Sequence, residues 1–313
     1  VVTAAAALEQ GVVSATDVLE VPDNLKVGPK VFHDAHPHKT LKLTFADVIE
    51  QSSNVGTIKV ALHLGRERLH SYLQKFGYGR PSGVGFPGES AGILPKPDSW
   101  WATSMGTIPI GQGVAVTPLQ IASVFATVAN GGVHVPPRLV SATVDAEGNR
   151  KPVSAKGTRR VIGEDTARTL TQILVRVTEG GHGTGTVAAI DGYQVAGKTG
   201  TAQKPRTDGR GYAGYVGSFI GFAPAAEPRL AVAVILDEPS PIWGGVTAAP
   251  VFKDVMQFSL RHLGIGPGPV LGPILTDGDH GSPLPAPDRS GGALPDPTLD
   301  PALPPPATGE TAD

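Results

Sequence analysis

Residues 192–203 read G-Y-Q-V-A-G-K-T-G-T-A-Q, and this stretch decides most of what the sequence predicts about the fold. Apolar and polar side chains alternate ahead of Lys198, which is typical of a β-strand with one buried face. The stretch therefore predicts a strand over 193–203 that carries a Lys-Thr-Gly motif. Two further apolar runs, 215–222 and 229–237, are separated by a turn that contains Pro and predict two more strands.

A second motif lies far upstream, where residues 45–56 read F-A-D-V-I-E-Q-S-S-N-V-G. Ser52 and Asn54 form a Ser-x-Asn pair that follows a short helix capped by Thr44. Taken alone, Ser-x-Asn is common by chance and favours a helix cap. Ser-x-Asn followed much later by Lys-Thr-Gly is more specific, because this order occurs in penicillin-recognising serine acyltransferases, where Ser-x-x-Lys supplies the nucleophile.

The Lys-Thr-Gly stretch also offers an alternative of a different class. Residues 192–199 match the G-x-x-x-x-G-K-[ST] pattern of a P-loop, and residues 231–238 (A-V-A-V-I-L-D-E) resemble the strand whose terminal acid holds Mg²⁺. A P-loop requires a helix that begins at the lysine, so that helix N–H groups face phosphate. The residues after Lys198 contain Pro and several Gly without helical periodicity, so a P-loop NTPase is the less favoured prediction.

Three segments resemble the transpeptidase domain of class B penicillin-binding proteins, the division and elongation type. They are S-S-N-V-G at 52–56, G-Q-G-V-A-V-T-P-L-Q at 111–120 and Y-Q-V-A-G-K-T-G-T-A-Q-K at 193–204. The resemblance covers residues 1–263. It implies an α/β fold of the penicillin-binding protein and β-lactamase type, in which helices flank an antiparallel sheet. The implied activity is that of a serine-type D,D-transpeptidase, which cross-links peptidoglycan stem peptides through an acyl-enzyme and binds penicillin.

The resemblance also implies roles for individual residues. Ser52 and Asn54 match the second active-site motif of the family, with the hydroxyl as a proton relay and the amide as a hold on a substrate peptide bond. Lys198 begins the third motif and supplies positive charge. The implied substrate-binding residues are Thr199, Gly200 and Thr201. Their two hydroxyls suit a substrate carboxylate, the glycine lets the backbone approach, and the last N–H of the three is an oxyanion donor.

The sequence contains no Ser-x-x-Lys. In the family this motif begins the helix whose continuation resembles V-V-T-A-A-A-A-L-E-Q-G, the first eleven residues here. We therefore expect a chain truncated just after its nucleophile, with an incomplete sheet and no activity by itself. A non-catalytic, degenerate fragment remains an alternative. Class A β-lactamases share the motif order but add a Glu-x-x-Leu-Asn-like loop that residues 55–197 do not contain, which favours a transpeptidase over a hydrolase.

Composition limits the possible classes of function. The 313 residues carry a formal net charge of −2, which gives no electrostatic basis for binding nucleic acid. They include no Cys, which fits an extracytoplasmic protein without disulfides, and no apolar run long enough to span a bilayer. The resemblance implies stem peptides ending in D-Ala-D-Ala and β-lactams as ligands, cell-division or elongation proteins as partners, and no cofactor. It also implies a place on the outer face of the plasma membrane, through an anchor ahead of residue 1.

Apolar spacing predicts a series of helices, which end at or before residues 11, 51, 65, 77, 130, 180 and 264. The residues expected to be buried by the last helix are Val251, Phe252, Val255 and Leu263. Residues 20–43 and 77–113 contain many Gly and Pro and are expected to be irregular. Residues 264–313 are Pro-rich, mostly acidic and nearly free of aromatic residues, so they are predicted to form a disordered tail.

Two polar segments have weaker signals. Residues 33–38, H-D-A-H-P-H, contain three His and one Asp, which are suitable metal ligands. A loop with Pro fixes no ligand geometry, so a solvated loop is favoured and no metal is predicted. The Gly-rich run 180–185 is interpreted as a flexible connection between a helix and a strand.

Overall fold

The fold is assembled from helices and strands within residues 1–154, 156–206 and 211–272, which the structure, a computed structural model, describes. Within these ranges the α-helices, α1 to α8 in chain order, are Val2–Glu9, Phe45–Glu50, Asn54–Leu64, Arg66–Lys75, Ser104–Thr107, Pro118–Ala129, Glu164–Glu179 and Gly244–His262. The β-strands, β1 to β11, are Val18–Val21, Asn24–Val27, Lys30–His33, Leu41–Thr44, Val133–His134, Ala142–Val144, Arg150–Pro152, Arg159–Arg160, Ala196–Pro205, Tyr212–Ala223 and Leu230–Asp237. Short 3₁₀ turns lie at Pro97–Ser99, Ile108–Ile110 and Thr186–Ala188.

Strands β9, β10 and β11 form an antiparallel sheet with β10 in the centre. The strand that carries Lys-Thr-Gly begins at Ala196 rather than at residue 193, because Tyr193 makes only an isolated bridge to Ile190. In the pairing of β9 with β10, Gly200 lies opposite Ser218. The predicted strands are therefore present, but their ends are shifted by up to three residues: the first ends at Pro205 instead of residue 203, and the second begins at Tyr212 instead of residue 215.

Helices cover both faces of this sheet. On one face Phe219 packs against Phe252 of α8, with ring centroids 4.6 Å apart. On the other face Ile220 and Phe222 join a core to which α1, α6 and α7 contribute. Successive residues of a strand point to opposite faces, which sends Phe219 and Ile220 into different cores. The predicted α/β fold, an antiparallel sheet flanked by helices, is confirmed.

The first helix is buried among other helices. Residues 4–7 are all Ala, and none of them is more than 1% exposed. Such small side chains let α3, α4 and α7 approach the backbone of α1 closely. Gly11 follows the helix with a φ of +60°, a conformation that glycine adopts without strain, so the predicted stop is confirmed.

Capping side chains fix the starts of α2, α3 and α6. Thr44 accepts the backbone N–H of Asp47, whose carboxylate accepts the N–H of Thr44 in return. Thr117 and Gln120 form the same reciprocal pair at α6. Ser53 caps α3 by accepting a backbone N–H of its first turn. The predicted cap at Thr44 is confirmed, and the three caps fix where the segments around the site begin.

Gln120 also ties a long loop to α6. It is 2% exposed, and its side-chain nitrogen donates to the carbonyl oxygens of Arg80 at 2.9 Å and Ala91 at 2.8 Å. These bonds hold residues 77–94, which have little regular structure, against the helix. The last residue of the G-Q-G-V-A-V-T-P-L-Q segment thus has a structural role.

The prediction of irregular structure over 20–43 is wrong. Strand β1 pairs with β4, and β2 pairs with β3, in two small antiparallel sheets. Each of these strands has only four residues, which is too short for alternation to stand out between Gly and Pro. Gly28, with a φ of +61°, makes the turn between β2 and β3.

The buried face of α8 also differs from the prediction. Phe252 is fully buried, but Val251, Val255 and Leu263 are 41%, 42% and 58% exposed. The residues that α8 buries with Phe252 are Ala248, Ala249, Met256 and Leu260. Both stripes have helical spacing, so periodicity alone does not choose between them. Among the described residues no helix, α8 with its 19 residues included, is both long and apolar enough to cross a bilayer.

The segment that follows α8 contacts the rest of the protein. The hydroxyl of Tyr193 donates to the carbonyl oxygen of Ile265 at 2.6 Å, and the N–H of Leu271 donates to the side chain of Gln194 at 2.6 Å. Residues 264–272, the start of the predicted tail, therefore lie against the region just before β9. The remainder of the predicted tail, 273–313, lies outside the described residues.

Candidate active site

The third residue of β9 meets the turn between α2 and α3. Lys198 Nζ donates to Ser52 Oγ at 2.8 Å, although the two residues are 146 positions apart. Lys198 Nζ also lies 3.3 Å from both the carbonyl oxygen and the hydroxyl of Thr199. Burial lowers the pKa of Lys198 to about 8, because desolvation disfavours its charged form. The structure thus brings together the first residues of the Ser-x-Asn and Lys-Thr-Gly motifs.

Ser52 has an unusual backbone conformation. Its φ is +60°, in the left-handed region that residues other than glycine rarely adopt and that costs about 1–3 kcal/mol. The turn leaves Ser52 exposed while the next residue, Ser53, is 1% exposed. Strained residues of this kind cluster at functional sites, where the surrounding structure holds them. The strain here places a serine hydroxyl against Lys198.

Asn54 is the first residue of α3 and belongs to the same turn as Ser52. Its side-chain nitrogen donates to the backbone carbonyl oxygen of His33 at 3.0 Å. His33 ends β3, so the loop that follows β3 orients the asparagine of the Ser-x-Asn motif.

The two hydroxyls that flank Gly200 both have protein partners. Thr199 Oγ1 lies 2.9 Å from Thr184 Oγ1, and Thr201 Oγ1 accepts the N–H of Gly244 at 3.2 Å. Gly244 is the first residue of α8, so the positive end of that helix dipole lies beside Thr201. A Cβ on Gly200 would lie 2.5 Å from the hydroxyl of the serine on the neighbouring strand, so a larger residue here would force that hydroxyl to rotate away.

The sequence did not indicate Thr184 as part of the site. The prediction of a flexible connection over 180–185 is wrong, because this run is bound to the end of α2. The N–H of His182 donates to Glu50 Oε1 at 3.2 Å, and the N–H of Thr184 donates to the Glu50 carbonyl oxygen at 3.4 Å. These bonds bring Thr184 to Thr199.

An ion-pair network joins α2 to α7 next to the Ser52 turn. The Arg176 guanidinium lies 2.7 Å (Nε) and 2.5 Å (Nη2) from Glu50 Oε2, and it also binds Asp47. The side chains of Asp47 and Glu50 are only 8% and 3% exposed. Buried carboxylates require a charged or hydrogen-bonding partner, so Arg176 fixes α2, and with it the turn, relative to α7.

The prediction of a solvated loop over 33–38 holds for His33, Ala35 and Pro37, which are exposed, but not for Asp34. Asp34 is 9% exposed and accepts hydrogen bonds from Ser53 Oγ at 2.8 Å and from the N–H of Val55 at 2.9 Å. His38 pairs with it at 3.1 Å. Among the described residues, no group of three or more His, Asp or Glu could hold a metal ion. The loop supports the Ser-x-Asn turn.

The P-loop alternative is excluded by the conformation around Lys198. A P-loop lysine begins a helix, whereas Lys198 lies inside β9, which continues to Pro205. The second element of that alternative, 231–238, lies mostly in β11, whose antiparallel partner is β10. No phosphate cradle of helix N–H groups is therefore formed at Lys198.

The start of α1 lies close to Lys198. Val1, which immediately precedes this helix, lies near enough to Lys198 for the charge of the lysine to act on it. The site is thus bordered by the beginning of α1, the Ser52–Asn54 turn and β9.

A Lys-Thr-Gly strand that faces a Ser-x-Asn turn, in an antiparallel sheet flanked by helices, defines a penicillin-recognising α/β acyltransferase domain. Residues 1–257 match the family described as the penicillin binding protein transpeptidase domain. The chain belongs to that family, and the prediction of a class B transpeptidase domain is confirmed.

Known relatives agree with this assignment. The chain is 40% identical over 289 residues to the penicillin-binding protein PbpB of Mycolicibacterium smegmatis, which covers 88% of this chain and 44% of the relative. It is 34% identical over 276 residues to the peptidoglycan D,D-transpeptidase FtsI of Escherichia coli, and this match covers 87% of this chain and 44% of the relative. A similar solved structure is that of penicillin binding protein 3 from Mycobacterium tuberculosis, complexed with ampicillin. It matches with a TM-score of 0.80 at 38% identity, and the match covers 88% of this chain and 63% of that one. The chain spans less than half the length of the two curated relatives.

Proposed function

We propose that this chain supplies the second and third active-site motifs of a peptidoglycan D,D-transpeptidase. The contact between Lys198 Nζ and Ser52 Oγ carries the proposal, because it joins both motifs in one site. The names of the relatives support it, since one is a peptidoglycan D,D-transpeptidase and a solved neighbour contains ampicillin. The substrate proposed here is a stem peptide that ends in D-Ala-D-Ala, and β-lactams occupy the same site.

The reaction exchanges one acyl bond for another. The serine of a Ser-x-x-Lys motif attacks the carbonyl carbon of the penultimate D-Ala and forms an ester, and the C–N bond to the terminal D-Ala breaks as its nitrogen takes up a proton. The amine of a neighbouring stem peptide then attacks the ester and releases the serine. A segment ending in Ser-x-x-Lys ahead of Val1 would lie beside Lys198, because α1 begins there.

Three residues serve the proton transfer and hold the substrate. The Ser52 hydroxyl accepts a hydrogen bond from Lys198 and passes its own proton to the departing amine. Lys198, whose pKa is about 8, is mostly charged at neutral pH and attracts the substrate carboxylate. In a partly buried site this charge interacts more strongly than it would in water. The Asn54 amide holds a peptide bond of the substrate.

The rest of the Lys-Thr-Gly strand binds the end of the substrate. The hydroxyls of Thr199 and Thr201 donate to the terminal carboxylate, and the N–H of Thr201 stabilises the oxyanion of the tetrahedral intermediate. Gly200 keeps the strand surface open beside them. The neighbouring start of α8 adds partial positive charge, which also favours a carboxylate at this place.

We also propose a cellular setting: the reaction takes place at the extracytoplasmic face of the plasma membrane, with cell-division or elongation proteins as partners. Membership of the transpeptidase family supports this setting.

The proposal is tested by supplying a Ser-x-x-Lys motif, which the 313 residues do not contain. In the protein called the completed enzyme below, a segment of a family member that ends in Ser-x-x-Lys precedes Val1 and is followed by the whole chain. A fluorescent penicillin should label it once per molecule, on the serine of Ser-x-x-Lys, and should leave the chain alone unlabelled. Lys198→Ala should slow labelling by about 100- to 1000-fold, the usual loss when one preorganised donor is removed from an acyl-transfer site.

Three outcomes contradict the proposal. A folded completed enzyme without a label would favour a non-catalytic fragment. A label on Ser52 of the chain alone would make Ser52 a nucleophile rather than a relay. A loss of tenfold or less in Lys198→Ala would reduce Lys198 to a structural role.

A further inference from the structure

Asp34 is a buried residue that belongs to neither motif. Its carboxylate contacts the middle residue of Ser-x-Asn and the residue that follows this motif. Its side chain is 1% exposed. Oδ2 accepts from Ser53 Oγ at 2.8 Å, and Oδ1 accepts from the N–H of Val55 at 2.9 Å. Ser53 is the central residue of Ser-x-Asn, and Val55 follows the motif directly. One carboxylate therefore spans the turn that presents Ser52 and Asn54.

The carboxylate also sets how α3 begins. Ser53 Oγ donates its proton to Asp34, which leaves its lone pairs for the N–H of Gly56 at 2.9 Å. The N–H of Val55 in the first turn points at the other oxygen of Asp34. A negative charge at a helix N-terminus is stabilised by the helix dipole. Asp34 and Ser53 thus cap α3 together and place a negative charge at its N-terminus. They also accept hydrogen bonds from two of the four N–H groups that have no partner within the helix.

The loop after β3 holds Asp34 in turn. His38 Nε2 lies 3.1 Å from Asp34 Oδ2, and His38 Nδ1 lies 2.6 Å from the carbonyl oxygen of Lys39. Both ring nitrogens face acceptors, so both hydrogen bonds form together only when the ring is protonated. The backbone N–H of His38 donates to Asp23 at 3.0 Å, and His33 lies 4.0 Å from the same carboxylate.

We propose that Asp34 is a positioning residue for the transpeptidase site, which holds the Ser52–Asn54 turn in its strained conformation through Ser53 and Val55. This inference rests on the proposed function for its catalytic consequence. The two hydrogen bonds from Ser53 and Val55 to Asp34, called the clamp below, are a property of this chain itself. Ser52, at a φ of +60°, does not keep that conformation without support. The segment that carries Asp34 also binds Asn54, through the backbone carbonyl oxygen of His33.

Two substitutions weaken the clamp to different degrees, and a third serves as a control. In Asp34→Ala both contacts are lost. In Asp34→Asn the shape is kept but the negative charge is lost. The NH₂ group must face either the N–H of Val55, which cannot accept a hydrogen bond, or Ser53 Oγ, whose hydroxyl would have to reverse from donor to acceptor. Asp17→Asn is the control, because the Asp17 carboxylate accepts in the same way from a side chain and a backbone N–H, but both belong to Ser14 and not to the turn.

The first measurement uses hydrogen–deuterium exchange of the chain 1–313, with no need for activity. Peptides that cover residues 51–58 should exchange faster in Asp34→Ala than in the unsubstituted chain. The increase should be smaller in Asp34→Asn, and Asp17→Asn should show no increase. Peptides from β10 and α7 should not change in any of the three. A merely global loss of stability would accelerate exchange in all of these elements together.

The second measurement uses the completed enzyme and separates binding of benzylpenicillin from acylation by saturation kinetics. Asp34→Ala should lower the acylation constant at saturating drug by about 10- to 100-fold, the scale expected when reacting groups shift by about 1 Å. Asp34→Asn should lose less, and the dissociation constant should change less than the acylation constant in both.

The outcomes are separable. Unchanged exchange at 51–58 and an unchanged acylation constant in folded Asp34 variants would overturn the proposal, and Asp34→Asn decides if Asp34→Ala does not fold. Local exchange that accelerates without any loss of acylation would also overturn it, since the clamp would then have no catalytic effect. An unsubstituted completed enzyme that is never acylated would refute the proposed function, and the positioning of a transpeptidase site would fall with it.

Discussion

Lys198 and Ser52 form their contact because two unfavourable local states are held by the surrounding structure. Ser52 occupies a left-handed conformation, and the Lys198 ammonium is partly withdrawn from water. Each state costs free energy in isolation, so neither would persist in a flexible chain. Their combination places a hydroxyl 2.8 Å from an amine whose pKa is close to physiological pH. A group that titrates there can exchange protons within the reaction as well as attract an anion.

Lys198 should titrate near pH 8 in the folded protein. The ordinary pKa of a lysine is about 10.4, so this group should be resolved from the other lysines in an NMR titration of the side-chain carbons and nitrogens. A midpoint near 10 would show that the ammonium is well solvated and would remove the physical basis for its role. Ser52→Gly provides a control, since it removes the hydroxyl but leaves the burial of Lys198.

The lowered pKa of Lys198 also determines how the contribution of this residue to stability changes with pH. Between pH 8 and 10.4 the unfolded chain binds a proton at Lys198 that the folded protein lacks, so this residue contributes more favourably as pH rises through that window. Urea unfolding should therefore show Lys198→Met gaining stability relative to the unsubstituted chain at pH 7. That gain should shrink by pH 9.5. A difference that is independent of pH would contradict the lowered pKa.

Helix α2 is the element on which the site depends, because its end leads directly into Ser52. It has only six residues, too few to be stable as an isolated helix. Its start is fixed by the Thr44–Asp47 box, and its carboxylates are bound by Arg176 of α7. Its end is also bonded to the 180–185 run through Glu50. Tertiary contacts thus replace the stability that the helix lacks.

Arg176→Ala should destabilise the protein strongly. It would leave Asp47 and Glu50 buried without their cation, and removal of one partner from a buried pair costs about 3–5 kcal/mol. The free energy of unfolding in urea measures this loss. Arg168→Ala, on the same helix, is the control. A loss below about 1 kcal/mol, the usual value for an exposed pair, would show that water already solvates the network.

The sequence predicts the elements whose signals are local and misses those whose partners are distant. Thr44, Thr117 and Gly11 were identifiable because caps and stops depend on residues within one turn. Asp34 was not, since its partners Ser53 and Val55 lie 19 and 21 positions away. Thr184 was missed for the same reason, as nothing nearby indicates Thr199. Family motifs located Ser52 and Lys198, but no pattern in them indicates the strain at Ser52.

At the scale of the whole molecule, the two largest hydrophobic cores of the described residues lie on opposite faces of one sheet. The larger core contains α1 and parts of α6 and α7, and the smaller is built on α8. The segment 264–272 reaches both, because Ile265 packs against the smaller core and Leu271 against the larger. It also bonds to residues just before β9. The segment therefore braces the strand that carries Lys198.

Truncation at two points should separate this brace from the rest of the C-terminal sequence. A chain that ends at residue 272 should melt as the full chain does, because 273–313 is rich in Pro and poor in apolar residues. A chain that ends at residue 263 should melt several degrees lower, since a loss of 1 kcal/mol shifts the midpoint by about 2–4 °C in a protein of this size. Equal melting temperatures for the two would mean that the contacts of Ile265 and Leu271 contribute no net stability.

The completed enzyme should remain acylated by penicillin for many minutes or longer. Hydrolysis of the ester requires a water activated by a general base on the correct face. The two acids closest ahead of Ser52 are unavailable, because Asp47 and Glu50 are bound to Arg176, and no Glu-x-x-Leu-Asn-like segment lies between Asn54 and Lys198. Intact-mass spectrometry after removal of free drug would follow the adduct directly. Rapid return to the unmodified mass, with hydrolysed drug accumulating over many turnovers, would identify a β-lactamase and refute the transpeptidase assignment. Persistence of the ester would instead show that the site excludes water as an acceptor, so that only an amine positioned in the cleft completes the transfer.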